Sequence, residues 1–248
     1  MQLPRLMGHR GAAAVAPENT LAGLRAAKDQ GVDWVEFDAQ LSGDGVPLLL
    51  HDDRLHRTTG DRRKIAEVPA AEASRLDAGA WFGPAFAGEP IPLLEEAVAL
   101  LAALDLQANV EIKPSPGLAR ETAQACMELL QQHWPKSRPL PLISSFEIAA
   151  LEEAQRLWPE APRGYLVKAL PQDWQETAER LGCVSVHPWH PGLKPEQVQA
   201  IKQAGYQVAA YTVNAPARAA ALLAMGVDCL ISDDPAALLP VVQEAVTV

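Results

Sequence analysis

Residues 207–232 read QVAAYTVNAPARAAALLAMGVDCLIS and contain one complete strand–helix–strand unit. Both ends of this stretch are short apolar runs typical of β-strands, and the alanine- and leucine-rich segment between them has helical periodicity. Gly226 follows this segment at the position expected just after a helix C-cap. Two strands joined through a helix are the building block of a parallel sheet, so this stretch predicts an α/β fold.

The same unit recurs along almost the whole chain. Strand candidates occupy residues 6–9, 34–40, 108–113, 141–144, 163–166, 184–187, 207–213 and 229–232. Helix-period segments occupy residues 19–30, 93–104, 118–134, 147–157, 171–181, 195–204, 215–225 and 235–246. Eight strand-then-helix units in series predict a parallel sheet with helices outside it, and the number eight predicts closure into a TIM (β/α)8 barrel. An open doubly wound sheet is the alternative, because periodicity alone does not show that a barrel closes.

One segment departs from the repeating unit. Residues 52–92 read as turns, charges and scattered aromatic residues, including Thr58-Thr59-Gly60-Asp61 and Trp81-Phe82-Gly83-Pro84. This segment is too long for an ordinary strand-to-helix loop, so we interpret it as a small subdomain inserted at the C-terminal face of the barrel. That face carries the active site in barrels of this kind. We therefore predict one domain over residues 1–248, with residues 52–92 inserted within it.

The composition narrows the range of functions. A net charge of −10 argues against a nucleic-acid-binding protein and against stable association with an anionic membrane. Cys126, Cys183 and Cys229 are odd in number and far apart, so we expect buried thiols in a reducing compartment. The sequence shows no apolar run approaching a membrane span and no secretory signal at its N-terminus. We expect a cytoplasmic protein that acts on a small molecule, and the sequence leaves its oligomeric state open.

Three acidic residues interrupt apolar strands. Glu36 and Asp38 lie two residues apart on the second predicted strand, so their side chains point to the same face, and Glu111 interrupts the third. Central parallel strands are buried on both faces, where an unpaired carboxylate is costly. Three carboxylates in one barrel mouth would repel one another unless a cation held them. Oxygen ligands without cysteine suit a hard divalent ion, so these residues predict a site for Mg²⁺ or Ca²⁺, with Mn²⁺ also compatible.

Basic and imidazole groups accompany these carboxylates. His9 and Arg10 follow the first predicted strand, His51 ends a later apolar run, and Lys113 lies two residues beyond Glu111. The planar fork of arginine matches phosphate oxygens, and Lys113 supplies a second positive charge. His9 and His51 are a candidate acid/base pair, because imidazole titrates near neutral pH. A hard cation, a phosphate clamp and two histidines together indicate displacement at phosphorus.

An ordered series of motifs points to a family. The motifs are His9-Arg10-Gly11, Pro17-Glu18-Asn19-Thr20, Glu36-Phe37-Asp38, His51-Asp52-Asp53, Asp77-Ala78-Gly79, Asn109-Val110-Glu111-Ile112-Lys113-Pro114, Thr212-Val213-Asn214 and Asp233-Asp234-Pro235. In this series, which spans almost the whole chain, the protein resembles the glycerophosphodiester phosphodiesterase family. The pattern of that family is His-Arg, then Glu-x-Asp, then His.

The resemblance implies a TIM barrel with a small subdomain inserted after the second strand. It also implies that Glu36, Asp38 and Glu111 bind a metal ion. By the same resemblance, His9 and His51 act as acid and base, and Arg10 and Lys113 contact the phosphate. The expected reaction is metal-dependent hydrolysis of glycerophosphodiesters, such as glycerophosphocholine or glycerophosphoethanolamine, to glycerol 3-phosphate and an alcohol. The alternatives are a lysophospholipase D-like phosphodiesterase and a non-catalytic phosphate-binding barrel.

For some further residues, both a functional role and a purely structural role fit the sequence. Phe146 and Tyr211 lie at the ends of the fourth and seventh predicted strands. Their rings are expected either to form a pocket wall against a choline head group or to pack within the barrel. Residues 187–190, with two histidines and a tryptophan, either line the leaving-group pocket or form an outer loop. Asn19 is predicted as a helix N-cap, and the alternative is that Glu18 and Asn19 hold the His-Arg pair after the first strand.

Overall fold

Eight parallel strands close into a barrel in the computed structural model, which describes residues 1–244. In chain order the strands are β1 (Leu6–Gly8), β2 (Trp34–Leu41), β3 (Pro47–Leu49), β4 (Gln107–Ile112), β5 (Leu142–Ser145), β6 (Arg163–Val167), β7 (Cys183–Pro188), β8 (Gln207–Ala210) and β9 (Cys229–Ser232). All except β3 pair in parallel, and β1 closes the ring by pairing with both β9 and β2. The predicted TIM barrel is therefore confirmed, and the open sheet is excluded.

Helices connect successive strands and cover the outside of the barrel. They are α1 (Leu21–Asp29), α2 (His56–Thr59), α3 (Ala70–Ala73), α4 (Leu94–Leu104), α5 (Ala119–His133), α6 (Ile148–Leu157), α7 (Trp174–Arg180), α8 (Pro195–Gln203), α9 (Pro216–Ala224) and α10 (Pro235–Glu244). In α5, Ala123, Met127 and Leu130 recur at helical spacing and are fully buried, which gives the helix its inward face. The helix predicted up to residue 246 includes residues 245 and 246, which lie outside the described residues.

Glycines end several of these helices, as the sequence predicted for Gly226. Gly31, Gly182, Gly205 and Gly226 all have positive φ. This left-handed backbone conformation is accessible to glycine at little cost, so each of these residues ends a helix and turns the chain toward the next strand.

The register of β2 places the acidic residues. β2 pairs in parallel with β4 so that Glu36 lies beside Asn109 and Asp38 lies beside Glu111. Directly paired residues and residues two apart share a face, so all three carboxylates point to the same side of the sheet. Beyond its parallel pairing, β2 continues as a hairpin with the antiparallel β3.

Residues 52–92, which we call the inserted segment, follow β3 and precede α4. The segment contains α2, α3 and single 3-10 turns at Ile65–Glu67 and Pro84–Phe86. It packs around an apolar cluster that is distinct from the main core. The buried members of this separate cluster are Leu48, Leu50, Leu55, Ile65, Val68, Ala73, Ala78 and Ile91. Because fully burying one large aliphatic side chain contributes roughly 1.5–3 kcal/mol, this cluster can hold the inserted segment in a defined conformation.

The three cysteines are free and buried, as predicted. Burial raises the pKa of the Cys126 thiol to about 12, so this group stays protonated and packs as a small apolar side chain. Within residues 1–244, none of the helices combines the length and the apolar character needed to cross a membrane.

Candidate active site

The side chains predicted from the sequence collect at one side of the barrel mouth, where β1, β2 and β4 end. The residues linked there by contacts of 4.8 Å or less are His9, Arg10, Glu36, Asp38, His51, Glu111 and Lys113. Phe146 lies beside this group, with its ring centroid 5.7 Å from the Lys113 amine, and its ring meets that of Tyr211 edge to face at 5.9 Å. The structure thus brings together all nine predicted site residues.

Glu36, Asp38 and Glu111 form a buried acidic cluster. Their exposed fractions are 3%, 1% and 8%, and one carboxylate oxygen of each lies within 4.8 Å of the others. Glu36 Oε1 is buried and accepts no hydrogen bond from the described residues. A buried acceptor without a partner is costly, and a bound cation would supply that partner. The cluster can therefore hold a metal ion, and its all-oxygen donor set fits a hard divalent ion.

The three carboxyl groups differ in how readily they ionise. Burial, together with the charges of Asp38 and Glu111, raises the pKa of Glu36 well above its ordinary value. Burial and the charge of Asp38 also raise the pKa of Glu111 to about 7. Burial acts in the same direction on Asp38, but the charges of Arg10 and Lys113, with a hydrogen bond from Asn19, outweigh it and lower its pKa. A divalent cation in the cluster would favour the ionised form of all three groups.

Asn19 holds Asp38 and does not cap a helix. The N-cap of α1 is Thr20, whose hydroxyl accepts a hydrogen bond from the Gly23 N–H at 3.0 Å. Asn19 Nδ2 donates to Asp38 Oδ2 at 2.9 Å, and Asn19 Oδ1 accepts from the Asp38 N–H at 3.0 Å. The predicted N-cap role of Asn19 is therefore wrong.

The alternative, that Glu18 and Asn19 hold the His-Arg pair, agrees with the contacts of Arg10. Glu18 Oε1 accepts a hydrogen bond from Arg10 Nη1 at 2.8 Å, and the Asn19 N–H donates to the Arg10 carbonyl at 3.0 Å. The side chain of Asn19 in addition holds Asp38, a partner that was not predicted.

Each of the two histidines is held by an aspartate. His9 Nδ1 lies 2.6 Å from Asp233 Oδ1, and His51 Nδ1 lies 2.6 Å from Asp52 Oδ1. Because an ionised carboxylate only accepts hydrogen bonds, both rings donate from Nδ1 and keep Nε2 for other partners. His9 Nε2 lies 3.9 Å from Glu36 Oε2 and so faces the acidic cluster.

Lys113 connects the second histidine to the acidic cluster. Its amine donates to His51 Nε2 at 2.8 Å and lies 3.4 Å from Glu111 Oε1 and 3.8 Å from Asp38 Oδ1. Burial lowers the pKa of His51, the charge of Asp38 opposes this, and the charges of Arg10 and Lys113 lower it further. With Nε2 accepting a hydrogen bond, His51 is in the neutral form that can take up a proton.

Arg10 lies between a carboxylate of the loop after β1 and the carboxylates of β2. Its backbone N–H donates to Glu36 Oε2 at 3.0 Å, its Nη1 donates to Glu18 Oε1 at 2.8 Å, and its Nε lies 3.3 Å from Asp38 Oδ2. The φ of Arg10 is 48°, in the left-handed region that costs free energy for a residue with a side chain. This conformation directs both the backbone N–H and the guanidinium of Arg10 toward the acidic cluster.

A chain of ion pairs runs from Arg10 to His51 through the inserted segment. Arg57 of α2 donates from Nη1 and Nη2 to the two oxygens of Glu18 at 2.6 and 2.8 Å, and from Nε to Asp52 Oδ2 at 2.7 Å. Glu18 also contacts Arg10, and Asp52 holds His51. One side chain of the inserted segment therefore joins the loop after β1 to the loop after β3.

A cleft of about 690 Å³ opens over this cluster and extends toward the ends of β6, β7 and β8. The residues that line its near end are His9, Arg10, His51, Glu111 and Lys113. The residues that line its far end include Phe146, Lys168, Trp189 and Tyr211. The predicted pocket-wall position of the two aromatic residues Phe146 and Tyr211 is thus observed in the structure.

The histidines of residues 187–190 do not line this cleft. His187 is fully buried within β7, where its Nε2 lies 2.8 Å from Ser185 Oγ and burial lowers its pKa to about 3. His190 lies in the turn after β7 and its Nδ1 accepts a hydrogen bond from Arg218 at 3.2 Å. The prediction for His187 as a pocket or loop residue is wrong, whereas Trp189 does line the far end of the cleft.

Three residues of the site received no role from the sequence: Asp52, Arg57 and Asp233. Asp52 directly follows His51, and Asp233 directly follows β9. Their positions just after strand ends were the one feature of the sequence that could have indicated a role in the site. Arg57 lies in a strongly charged segment, and nothing in its spacing distinguishes it from Arg54.

An acidic cluster suited to a divalent cation, beside imidazole and guanidinium groups at a barrel mouth, is typical of enzymes that act on phosphate esters. Comparison with known families identifies the kind of ester. The chain belongs to the glycerophosphoryl diester phosphodiesterase family, whose model matches residues 9–237, and it is accordingly a phosphodiesterase. This is the family that the sequence motifs predicted.

Similar proteins match this chain over nearly its full length. A glycerophosphodiester phosphodiesterase of Caldanaerobacter subterraneus subsp. tengcongensis is 32% identical over 240 residues, covering 96% of this chain and 98% of that protein. Another, of Bacillus subtilis, is 29% identical over 246 residues, covering 92% of this chain and 83% of that protein. The similarity is therefore not confined to the site motifs.

Solved structures agree with this placement. An Oleispira antarctica phosphodiesterase, in complex with the product sn-glycerol 3-phosphate, is 44% identical with a TM-score of 0.93, covering 99% of this chain and 98% of that one. A glycerophosphodiester phosphodiesterase of Thermotoga maritima is 26% identical with a TM-score of 0.78, covering 97% and 99% of the two chains. The shared structure thus includes both the barrel and the inserted segment.

Proposed function

We propose that this protein hydrolyses glycerophosphodiesters to sn-glycerol 3-phosphate and an alcohol, with a divalent metal ion bound by Glu36, Asp38 and Glu111. The observation that carries this proposal is the buried acidic cluster beside two histidine–aspartate pairs, at the near end of a cleft large enough for a small diester. Family membership supports a phosphodiester as the substrate. The product named in the Oleispira antarctica complex supports glycerol 3-phosphate as the part of the substrate that is released.

The proposed ion is Mg²⁺ or Ca²⁺, with Mn²⁺ as a third candidate. The donors are three carboxylates, which hard cations prefer, and Glu36 keeps a buried oxygen without a partner among the described residues. When bound, the ion would supply positive charge that favours attack at phosphorus and stabilises the charge that develops on the phosphate oxygens.

Arg10 and Lys113 are proposed to bind the phosphate. Both lie within 3.8 Å of Asp38, so they flank the acidic cluster from two sides. Arg10 is held by Glu18, which fixes the guanidinium before substrate arrives and lowers the cost of orienting it during the reaction. Lys113 would exchange its hydrogen bond to His51 for one to a phosphate oxygen, which frees His51 Nε2.

His51 and His9 are proposed as the base and the acid, respectively. Nε2 of His51 is an acceptor in the structure, and the pKa of His51 is lowered, so its neutral form is available to take a proton. His9 is held in the same way by Asp233, and its Nε2 faces the acidic cluster. A protonated His9 would donate that proton to the oxygen of the leaving alcohol.

Two routes fit these assignments. In the first, His51 takes the proton of the glycerol 2-hydroxyl, whose oxygen bonds to phosphorus while the bond to the leaving alcohol breaks, and water then opens the cyclic phosphate. In the second, His51 takes a proton from water, whose oxygen bonds to phosphorus directly while the bond to the leaving alcohol breaks and His9 protonates that alcohol. A single-turnover reaction in ¹⁸O-labelled water, stopped early and analysed by mass spectrometry, separates the routes, because only the first passes through a cyclic phosphate.

A substrate panel tests the proposed function. We expect release of glycerol 3-phosphate from glycerophosphocholine and glycerophosphoethanolamine, loss of that release with EDTA, and recovery on adding back Mg²⁺, Ca²⁺ or Mn²⁺. Lysophosphatidylcholine belongs in the same panel. Faster turnover of this lipid than of the glycerophosphodiesters would overturn the substrate assignment, and full activity in EDTA would overturn the metal assignment.

We also propose a cytoplasmic protein of one domain, with residues 52–92 as an inserted subdomain and a small molecule as its partner. Three buried free thiols suit a reducing compartment, and the separate apolar cluster supports the subdomain. The net charge of −10 disfavours nucleic acid as a partner. Recovery of the activity in a periplasmic or membrane fraction of the source cells would contradict the compartment.

A further inference from the structure

The cleft continues well past the residues that the proposed chemistry uses. Its near end holds the acidic cluster and the imidazoles, whereas its far end is formed by Lys168, Trp189 and Tyr211, which follow β6, β7 and β8. A cleft of about 690 Å³ is in the size range that accommodates a complete small ligand. We therefore place the leaving alcohol, the larger variable part of such a diester, against the far end.

Main-chain hydrogen bonds hold this far end together. Val167 O, at the end of β6, accepts one hydrogen bond from the Trp189 N–H at 3.0 Å and another from the Tyr211 hydroxyl at 3.1 Å. Lys168 is the next residue along the chain, so the same bonds fix the point from which its side chain leaves the backbone. A charge mounted on a fixed backbone can discriminate between ligands more sharply than one on a mobile loop.

Lys168 carries a charge that the described chain does not compensate. Its side chain is exposed, and within residues 1–244 its amine has neither an ion pair nor a hydrogen bond. Lys168 also lines an adjoining cleft of about 380 Å³, whose carboxylates are Glu111 and Glu147, and neither of these pairs with it. Lys113 lines this cleft as well. With Glu111 occupied by the proposed metal, two lysines would face one remaining carboxylate, Glu147, so the net charge around the cleft would be positive.

We propose that Lys168 selects glycerophosphodiesters whose leaving alcohol carries a negatively charged substituent, such as a phosphate or a carboxylate. This inference rests on the proposed function and adds the class of alcohol to it. A quaternary ammonium would gain contact with Trp189 or Tyr211 but would meet the positive charge of Lys168 in the same part of the cleft. The structure therefore favours an anionic head group over choline.

Two substrates that differ only in charge test this inference directly. Glycerophosphoinositol and glycerophosphoinositol 4-phosphate share the same alcohol, and the second carries one additional phosphate. We expect the wild-type protein to show a kcat/KM for the phosphorylated substrate roughly tenfold higher, as a charge-assisted contact predicts. Lys168→Gln should abolish most of this preference, and Lys168→Glu should reverse it while raising kcat/KM for glycerophosphocholine.

A matched control separates local charge from net charge. Lys136 is also exposed, and it lies after α5, on the side of the barrel where helices lead into strands. Lys136→Glu changes the net charge by the same amount as Lys168→Glu, and we expect it to leave the preference unchanged. Added salt should weaken the preference in the wild type, because the contact is exposed.

The failures of the two proposals differ. If no diester of the panel releases glycerol 3-phosphate, the proposed function is wrong. If hydrolysis occurs but Lys168→Glu shifts the ratio of the two inositol substrates no further than Lys136→Glu does, the role of Lys168 is wrong. A wild-type preference for glycerophosphocholine over both inositol substrates would overturn the role of Lys168 as well.

Discussion

The two halves of the barrel rim use their charged side chains differently. Where β1, β2 and β4 end, the basic residues Arg10, Arg57 and Lys113 each contact at least one carboxylate. Where β6, β7 and β8 end, Lys168 has no such partner among the described residues, and the neighbouring lining residues include the aromatic Trp189 and Tyr211. The first half is a network of paired charges, whereas in the second half the amine of Lys168 lacks a partner among the described residues.

This difference separates what is common to all substrates from what varies between them. In the proposed reaction the phosphate, the metal and the proton transfers are the same for every diester, and groups that are already oriented stabilise the transition state at least cost. The leaving alcohol varies, and a charge that is free to respond to it can set a preference without disturbing the chemistry. Changes in the first half should therefore lower turnover of every substrate, and changes in the second should redistribute turnover among substrates.

The largest effect is expected for His51→Ala. Loss of the proposed base should lower kcat roughly 10²- to 10⁴-fold for all diesters, with little change in metal affinity measured by calorimetry. His56→Ala is a matched control, because His56 is an exposed histidine at the start of α2. Unchanged kcat in His51→Ala would refute the role assigned to His51.

Arg57→Ala should have the next largest effect. This substitution removes the link between Glu18 and Asp52, so both Arg10 and His51 lose support, and we expect kcat to fall roughly 10- to 100-fold, as for other groups that orient a site. Arg57→Lys should recover part of the loss, because an amine keeps the charge without the fork.

Arg54→Ala, in the same charged segment, provides the control for this change. Arg54 Nη1 contacts only the main-chain carbonyl of Arg62 among the hydrogen bonds of the described residues. Equal losses in Arg54→Ala and Arg57→Ala would show that a general charge effect, and not the link, had been measured. The head-group preference should be the same in both variants, since neither touches the far end of the cleft.

The metal-free protein should lose stability as the pH rises through the titration range of Glu111. Its pKa is raised from an ordinary 4.5 to about 7 in the folded state. The folded state therefore binds more protons than the unfolded state between these two values, so the free energy of unfolding falls as the pH rises from about 4.5 to about 7. The loss is on the order of 3 kcal/mol, or about 10 °C in Tm.

Thermal unfolding in EDTA at a series of pH values checks this sign. In Glu111→Gln the component due to Glu111 should be absent, and in the wild type Mg²⁺ should raise Tm more at pH 8 than at pH 5, because protons compete with the metal. A metal-free wild type that gains stability relative to Glu111→Gln over this pH range would contradict the assignment.

The smallest effect is expected for Tyr211→Phe. The ring and its edge-to-face contact with Phe146 remain, while the hydrogen bond to Val167 O is lost, at a cost of about 1 kcal/mol. We expect changes of about fivefold or less in KM, concentrated in substrates with large alcohols, and little change in kcat. Tyr206→Phe, whose ring contacts Trp174 on the outside of the barrel, is the control. An equal loss of kcat for all substrates would show that Tyr211 contributes to the reaction itself and not to recognition of the alcohol.

The barrel and the acidic cluster were predictable because each depends on local pattern. Apolar runs alternate with helical periods, and Glu36, Asp38 and Glu111 interrupt strands where a charge must be compensated. Parallel strands all end at one face, so the histidines and basic residues after them were expected to meet there. The family then supplied the phosphate diester, which no residue pattern specifies alone.

The supporting residues were not predictable in the same way. Arg57 and Glu18 are 39 positions apart, and their contact depends on how the inserted segment folds over the mouth. Asn19 looked like a helix N-cap, but its φ of 54° and its partner Asp38 follow from the path of the loop after β1. His187 was predicted at the end of a strand, facing the pocket or an outer loop, yet β7 extends to Pro188 and buries its side chain. Each of these outcomes is set by tertiary contacts between distant segments.

The pairing of β2 with β4 has a consequence for how the protein can misfold. Glu36, Asp38 and Glu111 all depend on this one register, in which Asp38 lies directly beside Glu111. A slip of β2 by one residue would turn Val35 and Phe37 toward the barrel interior and the acidic side chains toward the helices. A chain that assembled in this wrong register could keep its helix content and compactness but could not gather three carboxylates around a cation. If the proposed metal binds there, its affinity reports directly on whether the barrel has closed correctly.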